Sequence, residues 1–304
     1  MTFGEYWPNW IEHKRLFVRD SSIAAYSTRW RMHLAGYFSD IDMDSLKNST
    51  MQGYIDSRAK DGARAGAIRS EMGVILALLK DYAAANDTAV RTFVLRYPKP
   101  FVVEDGVTTF QINECRKIFS AAKSSTDPRV IGIALALSTG MRIGELCGLR
   151  LSDFNHRTKT LRIQRTVGRS TGNGKYVHAP KTMSSDRTVI VAPWISQAVR
   201  AISKKRPKDA YLIPGAGNGE LDFYDPSSFR KWYGHFLNHL LIPYRRPHAM
   251  RHTFATLLLQ HTDIKTVSVM LGHANVATTM GVYAHTEDST RKQAAEKIFR
   301  EFNI

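Results

Sequence analysis

Residues 247–256 read Pro247-His248-Ala249-Met250-Arg251-His252-Thr253-Phe254-Ala255-Thr256. The spacing predicts a helix with His248 and Arg251 on one face near its start, because residues three apart are neighbours on a helix surface. His248 is a base that titrates near neutrality, and Arg251 is a planar, permanently charged fork that matches a phosphate. His248 and His252 are four apart, the spacing of a zinc pair. The metalloprotease helix, however, carries glutamate directly after its first histidine, and Ala249 stands there, with no Cys or carboxylate cluster nearby. The stretch reads as a phosphate site, and no metal site is assigned.

Four other segments hold unusual residues. In Thr139-Gly140-Met141-Arg142-Ile143-Gly144-Glu145-Leu146, the glycine permits a sharp turn that sets Arg142 at the start of a new helix. Unpaired N–H groups and the helix dipole favour an anion there. Glu145 lies on the same face, able to orient a neighbour. Pro180-Lys181-Thr182-Met183-Ser184-Ser185-Asp186-Arg187 sets Lys181 at the tip of a β-hairpin, from which an ammonium can reach into a groove. Leu271-Gly272-His273 supplies another histidine, and Met280-Gly281-Val282-Tyr283-Ala284-His285 supplies a tyrosine.

The chain around these segments has 304 residues, with 43 Lys/Arg against 27 Asp/Glu, a net charge of +16. Such a balance points to a polyanionic partner, nucleic acid before membrane. A hydrophobic fraction of 43% excludes a disordered chain. The apolar run from Val130 to Leu137 is far short of the roughly 20 residues of a membrane span. Glu5, Glu12 and Lys14 interrupt any signal-peptide core. Two cysteines, Cys115 and Cys147, exclude a disulfide framework and fit a reducing cytosol.

The charge is uneven: residues 1–97 carry +2 and residues 98–304 carry +14. The change falls at Tyr97-Pro98-Lys99-Pro100, an extended linker. Before it, helical spacing predicts four or five helices. Their stripes are Phe3, Trp7, Trp10, Ile11, Lys14 and Phe17; then Ile23, Tyr26, Trp30, His33, Leu34 and Tyr37, capped by Asp20-Ser21-Ser22. A third runs from about Asp44, and a fourth carries Met72, Ile75, Leu76 and Leu79. After the linker, Asp127-Pro128 starts a helix buried on all sides that Gly140 ends. Strands follow near Leu161–Val167, 176–181 and 187–191, the last two joined by a short turn. From Pro226 the chain is helical again. The fold class is mainly α with a small antiparallel β-sheet: an all-α N-terminal domain and a mixed α+β second domain.

The ordered set Arg142, Lys181, His248-x-x-Arg251, His273, Tyr283 resembles that of the tyrosine recombinases, also called the phage integrase family. Thr139–Leu149 looks like the first arginine box. His248–Thr256 looks like the second, with Met250 at a position usually leucine. Pro180-Lys181-Thr182 resembles the lysine hairpin of integrases from conjugative transposons and phages. The resemblance spans about residues 108–290. It implies a core-binding, DNA-binding domain over residues 1–97, a linker over 98–107, and a catalytic domain over 108–304 with a tail helix from about 288.

The resemblance implies DNA strand exchange through a 3′-phosphotyrosyl intermediate and a Holliday junction, integrating or excising a mobile element, with no cofactor. Arg142 and Arg251 would stabilise the phosphate, His248 take the proton from Tyr283, His273 bond the phosphate, and Lys181 protonate the departing 5′ oxygen. Glu145 would support them. A tyrosine of pKa near 10 needs such help to act as a nucleophile near neutrality. Arg165, Arg169, Lys175 and Arg187 are candidate DNA-backbone contacts, which position a protein without reading sequence. Expected partners are double-stranded attachment sites, a homotetramer joined by the tail stripe Ala294, Ile298 and Phe302, and an excisionase or DNA-bending protein. The expected location is the cytoplasm, with the nucleoid. An arm-binding domain is expected to be absent or trimmed. A type IB topoisomerase and a chromosome-dimer-resolving recombinase remain open alternatives.

Overall fold

The computed structural model describes residues 1–99, 109–170, 174–178, 186–215 and 222–272. The chain divides into two compact units, Met1–Asp105 with Arg169–Gly174, and Gly106–Gly168 with Lys175–Ile304.

The first unit is helical. α1 (Phe3–Lys14) starts at a capping box in which Thr2 and Glu5 bond each other's backbone N–H. It buries Phe3, Trp10 and Ile11. Phe17 lies past the helix end and is exposed, so the expected stripe stops at Lys14, whose ammonium meets Asp81 at 2.6 Å. α2 (Asp20–Arg29) begins at Asp20 itself; Arg19 is the residue before it, and the expected Asp-Ser-Ser cap is instead the first turn. α2 continues through a π-turn, Trp30–Leu34, into α3 (Ala35–Phe38). The wider turn shifts the phase of the stripe. Phe38 therefore reaches the core while Tyr37 is 37% exposed.

α4 (Asn48–Lys60) starts later than expected, because Asp42 accepts from the backbone N–H groups of Asp44 and Ser45 and holds that stretch in a turn. On α5 (Ala65–Ala85), Ile68, Met72, Ile75, Leu78 and Leu79 are buried, whereas Leu76 faces out. An extended segment then returns along α4. There the Asn48 carboxamide exchanges two hydrogen bonds with the Val94 backbone, at 2.8 and 3.0 Å. Gln52 does the same with Arg96, both at 2.9 Å. Two amides one helical turn apart thus imitate a strand edge.

The second unit is built round α7 (Pro128–Thr139). Asp127 caps it, Pro128 opens it, and Gly140 ends it in the left-handed region at φ 66°. Its residues from Val130 to Leu137 are buried throughout, as the apolar run predicts. α6 (Ile112–Lys123) and α9 (Pro193–Ser203) pack on it, and so does α11 (His248–Leu259). Between them lie α8 (Ile143–Cys147), a 3-10 turn (Leu151–Asp153), and the strands β1 (Phe154–Asn155), β2 (Thr160–Ile163), β3 (Thr166–Ser170), β4 (Gly174–His178) and β5 (Arg187–Ile190). The antiparallel sheet has the order β1-β2-β5, with Leu161 opposite Val189; β3 pairs with β4 separately. Here the expectation needs correcting, since β5 pairs with β2 and not with the strand just before it. α10 (Pro226–His239), capped by Asp225, and α12 (Ile264–Leu271) complete the described chain. The tail from about 288 lies outside it.

Candidate active site

Three backbone ends meet at the site: the C-terminus of α7, the N-terminus of α8 and the C-terminus of α12. Arg142 is the residue immediately before α8. Its backbone N–H donates to Glu145 Oε2 at 2.8 Å and its guanidinium to Oε1 at 2.9 Å. The helix N-terminus that the sequence offered to an anion is thus partly occupied by the helix's own glutamate. The Arg142 side chain remains 39% exposed.

Glu145 is 3% exposed and shared. Arg187 grips the same carboxylate with two nitrogens, at 3.2 and 3.0 Å, and also donates to the Met270 carbonyl at 3.0 Å. Burial alone would raise the Glu145 pKa, but the hydrogen bonds and charges of Arg187 and Arg142 outweigh it and hold the carboxyl below its usual range.

Arg251 is 2% exposed. It donates to the Gly140 carbonyl and to the Leu271 carbonyl, both at 2.9 Å. Carbonyls at helix C-termini lack partners within the helix, and the dipole there favours a cation. Arg187 and Arg251 therefore both hold the end of α12, which stops at Gly272 in the left-handed region, φ 69°. The residue after it in sequence is His273.

His248 opens α11 with an exposed outer edge, while its ring meets His252 edge-on at 4.8 Å between centroids. The buried flank, then His252, Arg251 and Arg142, push its pKa down from 6.5 to about 4. The imidazole is neutral at pH 7 and able to accept a proton. A pocket of about 520 Å³ opens over Arg142 and His248, and Arg230, Tyr244 and Arg246 also line it.

The structure brings Arg142, Glu145, His248 and Arg251 together. Lys181, His273 and Tyr283 lie outside the described residues, and so do the side chains of Arg169 and Lys175. Arg165 is drawn inward to Asp153, at 2.5 Å, and Arg187 is 7% exposed on Glu145, so both read as framework more than as groove contacts. Sequence reasoning overlooked Arg230 and Arg246. The doublet Arg245-Arg246 directly before Pro247-His248 was the available signal for the second. Among the described residues no cluster of three or more His, Cys, Asp or Glu could hold a metal. No described helix is long and apolar enough to cross a membrane.

The model of the phage integrase family matches residues 108–290. The chain belongs to the phage integrase family. The model of a phage integrase N-terminal SAM-like domain matches residues 2–57 of this tyrosine recombinase. The recombinase is 28% identical to a tyrosine recombinase XerC-like protein of Caldanaerobacter subterraneus subsp. tengcongensis, over 98% of this chain and 83% of the relative. It is 28% identical to the transposase from transposon Tn916 of Enterococcus faecalis, over 80% of this chain and 67% of the relative. In fold it is similar to the Tn1549 transposon integrase solved with transposon right end DNA, with TM-score 0.80, 21% identity, and 98% and 99% of the two chains covered. A lambda integrase dimer on a core site is more distant, at TM-score 0.61 and 14% identity.

Proposed function

We propose that the recombinase integrates or excises a mobile element, with Tyr283 as the nucleophile on DNA. The observation that carries this reading is that Arg142 and His248 open on one pocket, behind which Arg251 ties the ends of α7 and α12 to α11. Two guanidinium groups offset the phosphate's charge as it grows in the transition state. Preorganised charge of this kind is commonly the largest catalytic effect, and one lost donor costs about 100- to 1000-fold. His248 takes the tyrosine proton, Lys181 gives one to the departing 5′ oxygen, and His273 bonds the phosphate. The phosphotyrosine keeps the energy of the broken bond, so rejoining needs no nucleotide.

In this reading residues 1–97 are the core-binding domain, 98–107 the linker and 108–304 the catalytic domain. The likeness to the Tn916 transposase and the Tn1549 integrase supports a transposon element. A tetramer joined by the tail beyond 288, on DNA in the cytoplasm with an excisionase or bending protein, belongs to the same proposal. The test is a nicked suicide substrate bearing the attachment site. An SDS-resistant protein–DNA adduct is expected, and it is lost in Tyr283→Phe; an adduct that survives that change moves the nucleophile elsewhere. Relaxed plasmid without recombinants, from an uncut supercoiled substrate with two sites, favours a topoisomerase.

A further inference from the structure

The pocket over Arg142 and His248, about 520 Å³, is lined by more basic side chains than one phosphodiester needs. Two of the side chains lining it, Arg230 on α10 and Arg246 before α11, belong to no part of the mechanism above. Both are exposed, and neither has a hydrogen bond or ion pair among the described residues. Most arginines around them are committed. Arg142 and Arg187 share Glu145, Arg165 holds Asp153, and Arg129 holds Asp127. The contrast is sharpest within one doublet. Arg245 turns inward, 9% exposed, to Glu114 at 3.1 Å and over the Phe110 ring, whereas Arg246 faces the pocket.

Among the described residues no carboxylate lines the pocket. Three guanidinium groups among the described residues therefore converge on one opening, with the Glu145 carboxylate behind Arg142 as their counter-charge. Gathering like charges is unfavourable unless an anion joins them. One phosphodiester carries a single negative charge, and Arg142 and Arg251 already face that charge in the proposed mechanism. The next charge on the same strand lies one nucleotide away, about 3.4 Å along the duplex axis.

We propose that Arg230 and Arg246 hold a phosphate adjacent to the scissile one on the cleaved strand, and so position the strand for attack. This rests on the reading of Arg142 and His248 as the scissile-phosphate site. Arg230 and Arg246 are positioning residues. They fix where the strand lies, and the proton transfers and the bond to tyrosine take place next to them.

The experiment measures single-turnover adduct formation by the full chain on the nicked suicide substrate, across DNA and salt concentrations. Arg230→Gln, Arg246→Gln and the double variant are compared with the unaltered chain. Substrates carry a neutral methylphosphonate at one or the other phosphate flanking the scissile position. Each single variant is expected to raise the half-saturating DNA concentration about 10-fold near 0.1 M salt. The slope of log affinity against log salt should fall by about 0.9 for each phosphate that is no longer neutralised. The loss should concentrate in the half-saturating concentration and not in the maximal rate. On the methylphosphonate substrate that already lacks the contacted charge, the variants should lose nothing further. A loss that persists undiminished on every methylphosphonate substrate overturns the proposal, as does an unchanged salt slope. A fall in maximal rate alone places these arginines at the scissile phosphate and also overturns it. Thermal melting at the unaltered temperature establishes that the exposed substitutions leave the fold intact. Should Tyr283→Phe fail to abolish the adduct, the underlying site reading falls. Should it abolish the adduct while the arginine variants behave as the unaltered chain, only the flanking-phosphate proposal falls.

Discussion

Glu145 decides more of the site than its position in the sequence suggests. Read as a supporting residue, it is the buried anion on which Arg142 and Arg187 both converge. Removing one partner of a buried ion pair costs about 3–5 kcal/mol, because the remaining charge keeps its desolvation penalty. Arg187→Ala is therefore expected to lower the melting temperature by on the order of 10 °C, given about 2–4 °C per kcal/mol for a unit of this size. A plain phosphate contact would instead leave melting unchanged and weaken DNA binding, so calorimetry and a binding titration separate the two roles. His248 supports a second prediction. Its folded pKa, about 4, lies below the unfolded value near 6.5. Below pH 6.5 the unfolded chain takes up a proton that the folded chain refuses. Stability is thus full above pH 6.5 and declines as pH falls toward 4. Melting between pH 7.5 and 5 should show that decline, and His248→Asn should reduce it. His252, also shifted down by burial and by Arg251, keeps part of the slope. A decline of equal size in His248→Asn would remove His248 as its source. A bound phosphate raises the His248 pKa, so the acid limb of cleavage should lie above pH 4.

Gly140 shows how an element boundary becomes part of a site. It ends α7 at positive φ, and a Cβ there would stand 2.5 Å from Phe254 and 2.6 Å from Leu271. Its carbonyl also receives Arg251. Gly140→Ala adds about 1–2 kcal/mol of left-handed strain and about 1–3 kcal/mol of overpacking. It should displace the Arg251 anchor, so adduct formation is expected to drop at least 10-fold together with the melting temperature. Wild-type cleavage in Gly140→Ala would show that α7 and α12 tolerate separation. This glycine was readable in the sequence, as were the Asp127 cap, the apolar run of α7 and the histidine–arginine spacing of α11. Each is local, a matter of a turn or one helical repeat. What local pattern could not supply was phase and partnership. A single π-turn exchanges Tyr37 for Phe38 in the core, and nothing in the residues 30–34 marks it. The pairing of β5 with β2 crosses an insertion of two strands, so sequence neighbours mislead. Arg187 looked like a groove contact because its carboxylate partner lies 42 positions away.

At the scale of the whole molecule, the two largest cores among the described residues belong to stretches of very different charge. The helical core of the first unit, around Trp10, Phe38 and Leu78, belongs to a stretch of nearly balanced charge, and the larger core around α7 belongs to the stretch carrying +14. Several cations of the second unit are paired internally with carboxylates, as Arg165, Arg187 and Arg245 demonstrate. The excess of +14 is a difference of charges, however, and internal ion pairs remove equal numbers of both signs, so it stays available to DNA. A protein contacting 6–10 phosphates loses about 10³- to 10⁵-fold in affinity between 50 and 200 mM salt. Binding of the full chain to its site, followed by fluorescence anisotropy across that range, is expected to fall within those limits. A loss under 10-fold would mean that about two phosphates or fewer are neutralised, and that most of the excess charge lies away from the duplex.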